Sequence, residues 1–240
     1  MSLVNYLDTK FYPHFGDCWD DKMFRNLIKS KIEPHHSVLD LGAGRGAKSE
    51  MDFSGQARFV AGVDPDPAVL ENPFVDDAKV MTPPDYEIPY PDESFDLVFS
   101  NSVLEHIENP QIFFAEASRV LKPGGCFLAK TPNRWHYVAV LASLTPHWFH
   151  QFYNRLRGRE RVDTFPTVYA CNTKQQLSAY GESSGLGVAE LRIVEGRPEY
   201  LRIFGLPYLF GIIYEKLVNG FRDLEGYRCV LLAEFKKREC

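Results

Sequence analysis

The run Val38-Leu39-Asp40-Leu41-Gly42-Ala43-Gly44-Arg45-Gly46 constrains this chain more than any other segment. A short apolar stretch runs directly into three glycines at alternate positions. Glycine accepts positive φ and leaves no Cβ between the main chain and a bound molecule. A strand that ends in this way opens the first strand–helix turn of an α/β sheet, where a nucleotide-like ligand lies against backbone. Asp64 stands 20 residues after Gly44, at the end of a second strand over Arg58–Val63. A carboxylate at that place accepts hydrogen bonds from ribose hydroxyls. A tight turn with a helix-capping Asp64 is the plainer alternative, and it loses weight because both features follow strands.

The flanking sequence fits the same architecture. Strand signals recur at Ala78–Thr82, Phe95–Ser100 and Cys126–Lys130, with a helix over Gln111–Leu121 closed by Lys122-Pro123-Gly124-Gly125. Asn172-Thr173 caps a helix running to about Gly181, and strands follow at Val188–Val194 and Tyr227–Lys236. The apolar segment Tyr200–Phe221 is expected to bury itself on the sheet; a lid wall, a dimer surface and a shallow membrane contact are its other readings. With 240 residues, 45% hydrophobic and 25% charged, the chain has the make-up of one soluble globular domain rather than a disordered or coiled-coil protein.

Two ligands compete for the glycine loop. Gly42, Gly44 and Ala47 satisfy the G-x-G-x-x-G/A pattern of a dinucleotide site. The extra Gly46 and the acid Asp40 inside the strand suit S-adenosylmethionine better. That molecule has no pyrophosphate, and its ammonium needs a carboxylate or carbonyl nearby. Five segments in order then resemble the class I S-adenosylmethionine-dependent methyltransferases, closest to the small-molecule type 11 group. They are VLDLGAGRG, Gly62-Val63-Asp64, the stretch Ile88–Val98, Ser100–Ile107, and Arg119–Gly125.

The resemblance covers residues 37–131 well and implies both fold and roles. The fold is a doubly wound, mostly parallel seven-stranded sheet (a Rossmann-like methyltransferase fold), its last two strands forming an antiparallel end. A single domain over 1–240 would carry N-terminal lid helices over 1–30 and a cap inserted at 132–171. Asp40 would face the methionine end, Gly42, Ala43 and Gly44 would lie along the cofactor, and Asp64 would hold the ribose diol with Pro65 near the adenine. Asp85 is the candidate for the adenine amino group, although Pro83-Pro84 departs from the family's Gly-Asp pattern. Asn101 and Ser102 would line the sulfonium side. S-adenosylhomocysteine would be the product.

Methyl transfer is an in-line displacement from a good leaving group, so positioning supplies much of the acceleration. A base is needed only where the acceptor loses a proton. His106 is the catalytic candidate, with a merely packing histidine as the alternative; Tyr12, His14, His136, His147 and Tyr169 are weaker. Some quinone O-methyltransferases of the superfamily carry Glu-x-x-Glu-His and a divalent ion here. This chain has Ser102 in place of the first Glu, so no metal is expected at Glu105-His106.

The segment Thr131–Cys171 is long and aromatic, and reads as the wall of an acceptor site. Arg155, Arg157, Arg159 and Arg161 within it suit an anionic acceptor or simply a solvated face. The expected acceptor is therefore a small molecule, aromatic or anionic, methylated at O or N. An NAD-dependent oxidoreductase and a non-catalytic S-adenosylmethionine-binding partner are the competing functions. The net charge of −5 argues against a nucleic-acid partner. Five cysteines, none in a Cys-x-x-Cys pair, fit a reducing cytoplasm. No secretory signal or uninterrupted apolar span is visible, and a homodimer is compatible with the apolar segment.

Overall fold

Val38, Leu39 and Leu41 are shielded from water on both faces of strand β1 (Ser37–Leu41), whose five residues are all buried. Such double-sided burial marks a central strand of a parallel sheet. The computed structural model describes residues 2–145 and 167–239. In it β1 pairs in parallel with β2 (Phe59–Asp64) on one side and β4 (Phe95–Asn101) on the other. β2 pairs in parallel with β3 (Asp77–Val80), and β4 with β5 (Leu121–Pro132). Adding β6 (Leu186–Val194) and β7 (Val230–Lys237) gives a seven-stranded mixed sheet of order β3-β2-β1-β4-β5-β7-β6. The chain leaves β1 first toward β2 and later returns on its other side as β4. This reversal is the topological switch point at which sheets of this kind place ligands.

The helices are α1 (Leu3–Phe11), α2 (Trp19–Lys29), α3 (Pro110–Val120), α4 (Tyr137–Leu144), α5 (Lys174–Ser183) and α6 (Gly205–Gly220). Thr173 caps α5 as its sequence implies, its hydroxyl accepting from the amide of Gln176. After β1 and β2 the chain forms only short 3₁₀ turns, Ser49–Met51 and Pro67–Glu71, where a doubly wound sheet ordinarily has full helices.

The chain divides into two units. One comprises 21–131, 167–192 and 231–239 and holds most of the sheet. Its core centres on Phe114, which is fully buried among the rings of Phe113, Phe127, Tyr180 and Phe235 at centroid distances of 5.6–6.2 Å. The other comprises 2–20, 132–145 and 193–230. In it Leu7, Tyr12, Tyr208 and Ile212 form a core joining α1 to α6. Arg197 there is buried and donates to Asp17 at 2.7 Å, while Arg202 and Tyr208 both donate to Asp8.

The segment Tyr200–Phe221 holds α6. One face of α6 is buried through Tyr208, Gly211, Ile212 and Val218. The other carries Leu206, Phe210, Ile213 and Leu217, all exposed with respect to the described residues. The segment is apolar on more than one side, and sequence alone does not say how much of such a helix finds cover. No helix among the described residues is long and apolar enough to cross a membrane.

The packing around Phe114 makes a quantitative demand. Phe114→Ala should lower unfolding free energy by about 3–5 kcal/mol in urea titrations, whereas Phe114→Leu should cost less. Equal midpoints for wild type and Phe114→Ala would remove this ring from the core.

Candidate active site

The glycine loop is tied to the carboxyl end of β2. Gly42 N and Ala43 N both donate to the Val63 carbonyl, at 2.8 and 3.1 Å. Gly44 N donates to Asp64 Oδ2 and Asp66 N to Asp64 Oδ1, each at 2.8 Å. Asp64 thereby fixes the loop while each of its oxygens retains a lone pair for another donor. Asn72 completes the cradle. Its Nδ2 donates to the carbonyls of Ala43 and Gly44, both at 3.1 Å.

Two glycines show what the loop is shaped for. Gly42 has φ +94°, and a Cβ on it would lie 2.2 Å from Cγ2 of Val103, in the loop after β4. Its smallness lets two adjacent strand ends meet. At Gly44, φ +51°, the nearest atom to an added Cβ is Asp64 Oδ2 at 4.0 Å. A Cβ at Gly44 would therefore meet no clash, and the missing side chain leaves room beside the acid.

Asp40 lies at the end of β1, 6% exposed, with no hydrogen bond to its carboxylate among the described residues. Burial, and then the nearby Asp64 charge, push its pKa well above the usual carboxylate range. Asp64 is also raised by burial, against the two amides that favour its charged form. Burial raises both acids, and a donor or positive charge brought near either would favour its charged form.

The loop after β4 carries the other candidates. Ser102 has φ +60°, a left-handed conformation costing a non-glycine residue about 1–3 kcal/mol and concentrated at ligand-binding positions. Its amide donates to the Lys130 carbonyl at 2.8 Å. Asn101 Nδ2 donates to Asp21 Oδ1 at 3.0 Å. His106 lies in a 3₁₀ turn over Leu104–His106, its side chain 28% exposed, with Nε2 4.0 Å from Oε1 of the buried Glu105. Glu105 accepts from Thr131 Oγ1 at 3.0 Å, and Asn172 Nδ2 donates to that hydroxyl at 2.6 Å. Burial raises the Glu105 pKa, with the neighbouring His106 opposing the rise.

Of the residues singled out in the sequence, Asp40, Gly42, Ala43, Gly44 and Asp64 are drawn together at the ends of β1 and β2. Pro65 follows on the exposed side of Asp64. Asp85 sits in an exposed turn after β3, with no hydrogen bond to it among the described residues. His147 and Arg155, Arg157, Arg159 and Arg161 lie outside the described residues. His136 belongs to the other unit, buried at the start of α4. A separate cleft of about 410 Å³, lined by Lys31, His36, Asp96, Lys122 and Glu234, opens at the amino ends of β1 and β4, the opposite ends from the glycine loop.

Sequence reasoning missed the charged hub beside Asn101. Asp21, on α2, accepts from Asn101, from Lys48 at 3.0 Å and from Lys130, which is 2% exposed at the end of β5. A lysine inside the apolar run Phe127-Leu128-Ala129-Lys130 is a visible signal that a buried partner must exist. Its partner, 109 residues away, is not visible.

A family profile described as a methyltransferase domain matches residues 39–129. An uncharacterized protein of Methanocaldococcus jannaschii is 33% identical over 200 residues, covering 80% of this chain and 95% of that one. The chain belongs to the class I S-adenosylmethionine-dependent methyltransferases. A ubiquinone biosynthesis O-methyltransferase of Paramagnetospirillum magneticum is 31% identical over 152 residues, covering 60% of this chain and 57% of that one. This chain spans 38–57% of the length of such curated methyltransferase relatives. A solved S-adenosylmethionine-dependent methyltransferase of Methanosarcina mazei superposes with a TM-score of 0.58 at 15% identity, over 89% of this chain and 98% of that one, which confirms the fold. S-adenosylmethionine is the cofactor of this methyltransferase family.

The Asp21 hub is open to a direct check. Burial alone would raise the Asp21 pKa, but the Lys130 and Lys48 charges overcome it and hold the group at about 2. A depressed carboxylate contributes stability above its unfolded pKa and loses it as pH falls through the folded value. Asp21→Asn should cost about 3–5 kcal/mol at neutral pH, because it strands the Lys130 ammonium. The gap to wild type should close as pH drops from about 4 toward 2. A gap independent of pH in urea titrations would show that Asp21 does not act through its charge.

Proposed function

We propose that this chain transfers a methyl group from S-adenosylmethionine to an O or N atom of a small-molecule acceptor. The unobstructed glycine at 44 beside the loop-bound Asp64, with Asp40 buried in the adjoining strand, carries this reading. The Asp64 oxygens would accept from the ribose hydroxyls, and Asp40 would offset the ammonium of the methionine end. Ala43 and Gly44 would lie along the ligand, with Pro65 and Asp85 toward the adenine and Asn101 and Ser102 toward the sulfur. The fit is chemical as well as spatial: a buried carboxylate lacking a hydrogen bond gains from a cationic donor. When bound, the sulfonium supplies an electrophilic methyl group.

The chain's own part in the reaction is to hold the acceptor and manage its proton. His106 would take the proton of an acceptor hydroxyl as the new bond to the methyl carbon forms. The Glu105 carboxylate beside it, steadied by Thr131 and Asn172, would favour the imidazolium that results. Support for a hydroxyaromatic acceptor comes from the ubiquinone O-methyltransferase relative and from the aromatic content of 132–171. Residues 1–30 serve in this reading as a lid and 132–171 as the acceptor cap. The same reading places the protein in the cytoplasm without a nucleic-acid partner, and takes the exposed apolar side of α6 as its homodimer surface.

The test begins with mass spectrometry of purified protein, which should find S-adenosylmethionine or S-adenosylhomocysteine retained. In calorimetry Asp64→Ala should weaken S-adenosylhomocysteine by roughly 10–100-fold, the equivalent of about 1.5–3 kcal/mol for hydrogen bonds to a charged group. Unchanged affinity rejects the ribose role. His106→Ala should slow turnover of a hydroxyaromatic acceptor by about 10²–10⁴-fold while leaving cofactor affinity within twofold. Normal turnover of that variant would leave His106 a packing residue.

A further inference from the structure

In the unit formed by 2–20, 132–145 and 193–230, three side chains of ligand chemistry meet away from the glycine loop. His136 stands just before α4, Glu195 just after β6 and Cys229 just before β7. One ligand atom from each lies within 4.8 Å of the other two. His136 Nε2 and Glu195 Oε2 are 3.3 Å apart, in side chains only 4% and 3% exposed. The two atoms stand at ion-pair distance, yet among the described residues neither has a hydrogen-bond partner. Buried polar atoms left without hydrogen-bond geometry are unusual and call for an explanation.

The spacing has a simple chemical meaning. A tetrahedral zinc ion with bonds of about 2.0–2.2 Å to nitrogen and oxygen sets those ligand atoms roughly 3.3–3.6 Å apart. Imidazole, carboxylate and thiolate are the ordinary zinc donors. The groups are also held in place. Asn133 Nδ2 donates to the carbonyls of Gly226 and Arg228, both at 2.7 Å, and Asn133 N donates to the Cys229 carbonyl at 2.8 Å. The Tyr137 and Tyr214 rings pack on the His136 ring at 4.2 and 5.6 Å. Asn219 Nδ2 donates to the Glu195 carbonyl.

We propose that His136 Nε2, Glu195 Oε2 and Cys229 Sγ bind a divalent transition-metal ion, zinc by preference, which pins together the segments leading into α4, out of β6 and into β7. Binding converts the Cys229 thiol to a thiolate and releases its proton to solvent, and water completes the tetrahedron. This site is distinct from Glu105-His106, where the sequence carries Ser102 in place of a family metal ligand.

Cobalt(II) is the probe, because a thiolate ligand gives it a near-ultraviolet charge-transfer band. The chelator-treated full chain, titrated with cobalt chloride, should develop that band and saturate at one equivalent, and added zinc should abolish it. Cys229→Ser should lose the band, and Glu195→Gln should weaken binding by more than the roughly 10–100-fold typical of outer-shell changes. Zinc-edge X-ray absorption of the loaded wild-type chain, which needs no variant to fold, should find one sulfur among nitrogen and oxygen neighbours. No band, a band that survives Cys229→Ser, or a zinc site without sulfur would each overturn the proposal. In the last case the ion sits elsewhere, as at the exposed Glu33 and His35 with the half-buried His36.

Discussion

The parallel pairing of β1 with β2 on one side and β4 on the other determines where chemistry can occur in this molecule. Asp40 pairs with Gly62 in one register and with Phe99 in the other. The three strands therefore end at nearly the same level, and their following loops compete for one space. Gly42 yields to Val103 there because it has no side chain to place. Asp64 and Asn72 hold the loop's amides and carbonyls, and Gly44 stands unobstructed beside Asp64. A βαβ sheet with a switch in strand order makes such a crevice from connectivity alone.

Buried charge is spent in two different ways around this crevice. Asp21 is enclosed but satisfied, its oxygens taken by Asn101, Lys48 and Lys130, and its pKa falls. Asp40 is enclosed and unsatisfied by hydrogen bonds, and its pKa rises. Desolvation acts on both; two lysine charges and their hydrogen bonds outweigh it at Asp21, whereas the Asp64 charge adds to it at Asp40. The first arrangement ties α2 to the ends of β4 and β5. The second leaves the Asp40 carboxylate without a donor among the described residues.

The strands and their acids were legible because each depends on local pattern. Val38–Leu41 and Phe95–Ser100 are apolar runs between turn signals, and Asp64 stands at the end of its strand, where its spacing from Gly44 put it. Thr173 could be read as a cap from its own side chain. The 3₁₀ turns after β1 and β2 were not legible, since the short segments 49–51 and 67–71 offer too few residues for a helical period. Nor was the Asp21–Lys130 pair, because one charge in a strand announces a need but not the distant residue that meets it. Asn72 was missed for a similar reason: its amide serves two carbonyls, and backbone acceptors leave no mark in a sequence.

The outer face of α6 shows the limit of composition as a guide to burial. Leu206, Phe210, Ile213 and Leu217 are as apolar as Tyr208 and Ile212, yet only the latter pair finds partners in α1. Burial is a property of neighbours rather than of side chains, so a helix apolar on more than one side fixes its own formation but not its environment. The same logic separates the His136–Glu195–Cys229 cluster from the loop carboxylates. At Asp40 the neighbour that acts on the carboxylate is a second acid, Asp64; at His136 the neighbours are a carboxylate and a sulfur, the donor set of a metal ion.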